Sequence, residues 1–279
     1  MQGEPYTGQA NKLKETVRDM LEKPLDAVYQ LELIDNLQRL GVAYHFELEI
    51  KSILESRWNN YKEDNREMKE DLYGTSVEFR LLRQHGYNVP QGCLYTYILI
   101  VICMCISIKL SLNDLHQAIL LFADVFNSFK DEQGNFKNCL RDDVKGMLNL
   151  YEASYYLVNG ESILEEARDF SEKHLKEYSK EQNEDHYLSL LVNHSLELPL
   201  HWRMQRMEAR WFIDAYGRKR DLNPILLEFA GLDFNMVQAK YQEDIRHASR
   251  YKISNCEKWG KPPIAHLIIF FMNCKKCHD

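Results

Sequence analysis

The residues best suited to chemistry stand at the end of the chain, Cys274-Lys275-Lys276-Cys277-His278. This is the C-x-x-C-H spacing through which two thiols can attach a haem covalently. The same residues could be half of a zinc site, but no second ligand pair lies at a suitable spacing. With no domain of fitting pattern around it, the motif is read as coincidence in an unstructured end. Asp142-Asp143 is an adjacent carboxylate pair at a helix start. Paired aspartates can hold Mg2+ through their oxygens. Negative charge at a helix N-terminus is also stabilising in its own right, and that reading is preferred. Asp131-Glu132 and Glu184-Asp185 read as loop charges. His45, His85, His174, His186, His194, His201 and His247 form no metal-ligand spacing with a carboxylate. G-x-S-x-G, P-loop and G-x-G-x-x-G patterns do not occur. Motifs alone therefore assign no catalytic, cofactor-binding or metal residue.

The elements that would position such residues are helical by pattern. Residues 10–23 carry Leu13, Val17, Met20 and Leu21 on one face, and Pro24 ends the run. A second helix from about Asp26 has Val28, Leu31, Ile34, Leu37 and Leu40 apolar, with Gly41 as its C′ stop. Residues 44–72 continue the pattern and then turn into the solvated run KEDNREMKED, which is given no binding role. Thr75-Ser76-Val77-Glu78 and Ser162-Ile163-Leu164-Glu165 have the form of capping boxes and are expected to open two further helices. Gly86 ends the first of these. Helices are also expected over 141–157, 185–196 and 198–216. The last, LPLHWRMQRMEARWFIDAY, reads as a buried helix with Trp202 and Trp211 packing the core. Pro224 and Asp233 are expected to start two final helices.

Composition agrees: 45% apolar and 28% charged residues with 12 Gly and 7 Pro suit a folded chain of long helices. A net charge of -7 and the lack of a basic stripe argue against a nucleic-acid partner. The N-terminal residues resemble neither a secretory signal nor an Arg/Ser-rich transit peptide, so the cytoplasm is expected. Six of the seven cysteines fall in two segments, 92–123 and 251–279, and an odd count argues against a disulfide framework. Residues 94–108 (LYTYILIVICMCISI) are short for a membrane span, which needs about 20 apolar residues. A membrane anchor is therefore disfavoured.

The stretch LPLHWRMQRMEARWFIDAY, followed by NPILLEFAGLDFNMVQAKYQEDIRHASR, closely resembles the N-terminal domain of plant terpene synthases. Upstream segments agree in order: LELIDNLQRLGVAYHFELEI, FRLLRQHGYNVPQ, DVFNSFKDEQGNFK and DDVKGMLNLYEASYYLVNGESILEEARDF. The resemblance covers residues 10–91 and 124–250 and is nearest the branch rich in monoterpene synthases. It implies an all-α fold, an α-barrel N-terminal domain occupying 1–91 and 124–250. It also implies a second helical domain in which carboxylate motifs hold Mg2+. Those ions bind a prenyl diphosphate and draw off the diphosphate. The implied function is a carbon–oxygen lyase of terpenoid biosynthesis.

This sequence departs from the pattern. It has no DDxxD, since Asp142-Asp143 is followed by Val-Lys-Gly, and no DxDD. The family's early tandem-Arg and Trp motif is missing at 1–11. Residues 92–123 interrupt a segment that runs on directly in the family, and 251–279 resemble nothing in it. Both are read as translated intron or mis-annotated sequence. The chain is accordingly expected to be an N-terminal fragment without the catalytic domain, inactive alone, with Mg2+ a family expectation lacking ligands here. A non-catalytic helical module that binds a partner is the alternative.

Overall fold

Short polar side chains settle where the helices begin. Asp26 accepts hydrogen bonds from the amides of Val28 (3.1 Å) and Tyr29 (3.3 Å) and so caps the second helix. Asp143 and Asp185 do the same through Gly146 and Leu188, at 2.8 and 2.9 Å. The computed structural model describes residues 4–23, 26–62, 71–89, 125–159, 161–181 and 185–253. Among them run nine α-helices: α1 (Glu4–Glu22), α2 (Ala27–Arg39), α3 (Glu47–Lys62), α4 (Leu72–Gln84), α5 (Val144–Ser154), α6 (Ser162–Tyr178), α7 (His186–Glu197), α8 (Gln205–Tyr216) and α9 (Pro224–Ile253). The only β pairing among the described residues is an isolated bridge between Lys130 and Phe136. The all-α expectation is met.

Gly41 and Gly86 stop their helices as expected. Their φ values are +76° and +82°. In each case the following amide reaches back to the last turn, Val42 to the Leu37 carbonyl and Tyr87 to that of Leu82, both at 3.0 Å. Only a glycine takes this left-handed C′ position without strain.

Other boundaries differ from the sequence reading. Thr75-Ser76-Val77-Glu78 is no capping box. Asp71 caps α4 by accepting from Tyr73 and Gly74, so the helix starts earlier and buries Thr75, Ser76 and Glu78 in its interior. The second box also fails. Ser162 is already helical, and Glu161 at the cap position turns its carboxylate to Arg83 and the Val158 amide. Residues 138–142 form a 3-10 turn ahead of α5. Asp233 starts nothing; it lies within α9, which runs through Gly231 unbroken. A single glycine costs a helix only about 1 kcal/mol and need not end it. The stretch 198–216 is not one helix but a 3-10 turn, Leu200–Trp202, followed by α8.

The chain divides into two units, residues 1–230 and 231–279. In the first unit α2 packs on α4, α4 on α5, α5 on α7, α7 on α8, and α8 returns to α2, closing a ring. Outside it α6 packs on α5 and α7, and α3 on α1 and α4. The apolar stripes expected from the spacing are buried, among them Leu31, Ile34 and Leu37 of α2 and Phe79, Leu81 and Leu82 of α4. Phe126, in the loop before α5, adds an edge-to-face contact on Phe79 at 5.3 Å. Of the second unit, the described part is the C-terminal portion of α9. The charged run at 63–70, the segment 92–123 and residues 254–279, with the C-x-x-C-H motif, lie outside the described residues, and so does Pro24.

Candidate functional site

Helical spacing carries charged residues to the inside of the ring as well as apolar ones. Glu32, Asp35 and Arg39 of α2 recur at three and four residues, as do Lys145, Leu148 and Glu152 of α5. With Arg80 of α4 and the segment Lys219–Arg220–Asp221 they line a cavity of about 300 Å3. Tyr73, Tyr187, Leu191, Leu200 and Phe212 complete much of its wall.

The charges inside are paired. Arg80, 1% exposed, stands 2.8 Å from Asp35. Burial opposes its charge, but the Asp35 carboxylate outweighs burial and holds the guanidinium above its ordinary range. Glu32 is shared by two ammonium groups, Lys219 at 3.2 Å and Lys145 at 3.3 Å. Burial lowers the affinity of Lys219 for its proton, and Glu32 more than restores it. Glu152 accepts from the Ser195 hydroxyl at 2.5 Å and the Leu200 amide at 2.8 Å. Its burial still pushes the carboxyl above the usual range. Behind the wall, Glu208 accepts from His194 (2.9 Å) and Arg39 (3.4 Å), with Arg203 at 3.6 Å. Burial works against its ionisation, but these partners leave its carboxyl below the usual range. Arg39 also lies 4.4 Å over the Phe212 ring.

The residues singled out from sequence fall elsewhere. Asp143 caps α5, and Asp142 ends the 3-10 turn before it. His45 packs on Phe229, His201 on Tyr156, and His174 on Phe170. His194 stacks on Trp211 with ring centroids 3.3 Å apart. Among the described residues no group of three His, Cys, Asp or Glu could hold a metal ion. Trp202 does not pack the core: it is 62% exposed, and its ring meets that of Tyr155 edge-to-face at 5.2 Å. Trp211 is half-buried. Motif spacing singles out none of the cavity residues, and Asp185 reads from the sequence only as a loop charge. Glu152 carried the usable signal, since it interrupts the apolar run Leu150-Tyr151-Glu152-Ala153.

The family model for the N-terminal domain of terpene synthases matches residues 1–98 and 120–196. A myrcene synthase of Quercus ilex is 53% identical over 89% of this chain. An alpha-terpineol synthase of Vitis vinifera is also 53% identical over 89%. The chain spans only 36% and 37% of their respective lengths. Among solved structures, isoprene synthase from grey poplar superposes with a TM-score of 0.72 at 41% identity, covering 89% of this chain and 40% of that one. A limonene synthase reaches 0.73 at 38% identity, covering 90% and 41%. A relative of more than half identity, an ordered family match and a shared helical architecture lead to one assignment: the chain belongs to the terpene synthase family, where it corresponds to the N-terminal domain.

Proposed function

We propose that this chain is the helical N-terminal scaffold of a Mg2+-dependent terpene synthase acting on a prenyl diphosphate, and that its 279 residues alone do not carry the reaction. The observation behind this reading is the commitment of the cavity's carboxylates. Mg2+ needs near-octahedral oxygen ligands with room for substrate phosphates. Glu32 is ion-paired to two lysines, Asp35 faces Arg80, and Glu152 has both oxygens engaged. The carboxylates of this cavity therefore do not fit the metal. One poplar isoprene synthase structure holds three Mg2+ ions and a dimethylallyl thiolodiphosphate; this chain covers 44% of that protein. That relative supports the family chemistry for a full-length protein.

The test is incubation of the purified chain with geranyl, farnesyl or geranylgeranyl diphosphate and Mg2+, followed by gas chromatography. No volatile product is expected. Metal-dependent turnover of any of the three would overturn the proposal.

Two subsidiary readings belong to it. Residues 92–123 and 251–279 are translated intron or mis-annotated sequence; for the first of them, the break in the family match between 98 and 120 supports this reading. Transcripts encoding only the longer form would sink it. No helix among the described residues is long and apolar enough to cross a membrane. The Quercus ilex relative is named chloroplastic. The cytoplasm expected from sequence is tested by a fluorescent fusion in leaf cells, where plastid fluorescence would refute it.

A further inference from the structure

The cavity has more donors than its own acceptors use. Arg80 Nη2 stands 2.8 Å from Asp35 Oδ1 as an ion pair, while its Nε and Nη1 are buried with no hydrogen-bond partner among the described residues. Unmet buried donors of this kind cost stability unless water or a ligand fills them. Three further cations line the same cavity nearer solvent. Lys145 and Lys219 share one carboxylate, Glu32, and Asp221 lies 3.6 Å from Lys219. Arg220 lines the exposed rim and has no carboxylate partner among the described residues. The remaining acidic groups add little against these cations. Glu152 is bonded to Ser195 and Leu200, and Asp185 is occupied in capping α7. Burial also favours the neutral form of Glu152.

We propose that this cavity binds a small phosphate-type oxyanion, held from its depth by Arg80 and from its rim by Lys145, Lys219 and Arg220. Its volume of about 300 Å3 stands at the small end of ligand pockets. It suits an anion the size of phosphate or diphosphate. Guanidinium donors match such oxygens, and charge-assisted bonds are the strong ones. The site lies within the N-terminal domain and uses no metal. It is independent of the fragment reading above.

Titration calorimetry on the 279-residue chain, in EDTA at low ionic strength, tests this with inorganic phosphate, inorganic diphosphate and acetate as separate probes. One saturable site is expected for phosphate or diphosphate, and the better of the two identifies the source. Arg220→Ala and Lys145→Met should each weaken it about tenfold, the usual worth of one charge-assisted contact. Lys240→Met, a surface charge outside the cavity, should leave it unchanged. Failure to saturate below about 10 mM, a weaker interaction than specific sites show, would overturn the proposal. So would unaltered affinity in both cavity variants, or acetate binding as tightly as phosphate. Arg80→Gln adds a probe of depth, with its helicity checked by circular dichroism.

Discussion

Asp35→Asn removes the charge that faces Arg80 while keeping the shape of the side chain. Arg80 is then left 1% exposed with a guanidinium that has lost its counter-ion. Breaking a buried ion pair from one side costs about 3–5 kcal/mol. The low end applies here, since Arg80 borders a cavity that water can enter. A loss of about 3 kcal/mol is a large part of the 5–15 kcal/mol that keeps a domain folded. At about 2–4 °C per kcal/mol for a chain of this size, the midpoint falls by about 6–12 °C. Arg80→Met should cost a comparable amount by stranding Asp35, which is itself 8% exposed. In the double variant neither charge remains, so its loss should fall well short of the sum, with a coupling of about 2 kcal/mol or more. Urea unfolding followed by circular dichroism at neutral pH supplies all four corners of the cycle. Because the pair is buried, the coupling should also survive high salt. A loss under about 1 kcal/mol for Asp35→Asn would refute the reasoning, as would additivity within about 0.5 kcal/mol.

Three further outcomes follow from other contacts. Gly41→Ala places a Cβ 2.7 Å from that of Ala209 on a backbone with φ +76°, and should cost about 2–3 kcal/mol. Adding Ala209→Gly should recover part of that loss by thermal melting, relieving the clash but not the backbone strain. Glu208 has its carboxyl held low, so its stabilising contribution is complete above the ordinary carboxylate value and is lost as pH falls through its depressed one. Glu208→Gln should therefore flatten the acid side of the stability curve, read as urea midpoint against pH. Arg83 donates to the carbonyls of Val89 and Tyr156 and to both oxygens of Glu161. Arg83→Lys cannot reproduce this fork and should cost about 2 kcal/mol in the same assay; an unchanged midpoint would show that the clasp is not stabilising.

The helices were legible because their apolar spacing is a local property. Leu31, Ile34 and Leu37 announce a buried face without knowledge of what covers it, and Gly41 and Gly86 announce a stop through their own conformational freedom. Caps were less legible, since rival groups within a few residues compete for the same amides. Asp71 prevailed over Thr75 by lying at the end of the charged run and reaching two amides at 3.1 Å. The break at Arg203 was hidden for a different reason. Its guanidinium turns back to the carbonyls of Leu198 and His194, satisfying the end of α7 and interrupting what the apolar spacing read as one helix. Trp202 is exposed as a consequence of that break.

The cavity was beyond reach because a charge becomes an interior residue only through partners distant in sequence. Arg80 needs Asp35, 45 positions earlier, and Glu152 needs Ser195, 43 positions later. No window along one helix contains both members of either pair. Once the ring closes, the same pairing bears on what the domain can do. An apolar prenyl chain entering this cavity would separate charges from the partners that make their burial tolerable, at several kcal/mol for each ion exposed to hydrocarbon. An oxyanion would instead meet the donors on Arg80 that are already without partners. The interior is thus better matched to the head of a phosphorylated ligand than to its tail, and calorimetry with inorganic diphosphate beside an uncharged prenyl alcohol measures that preference directly.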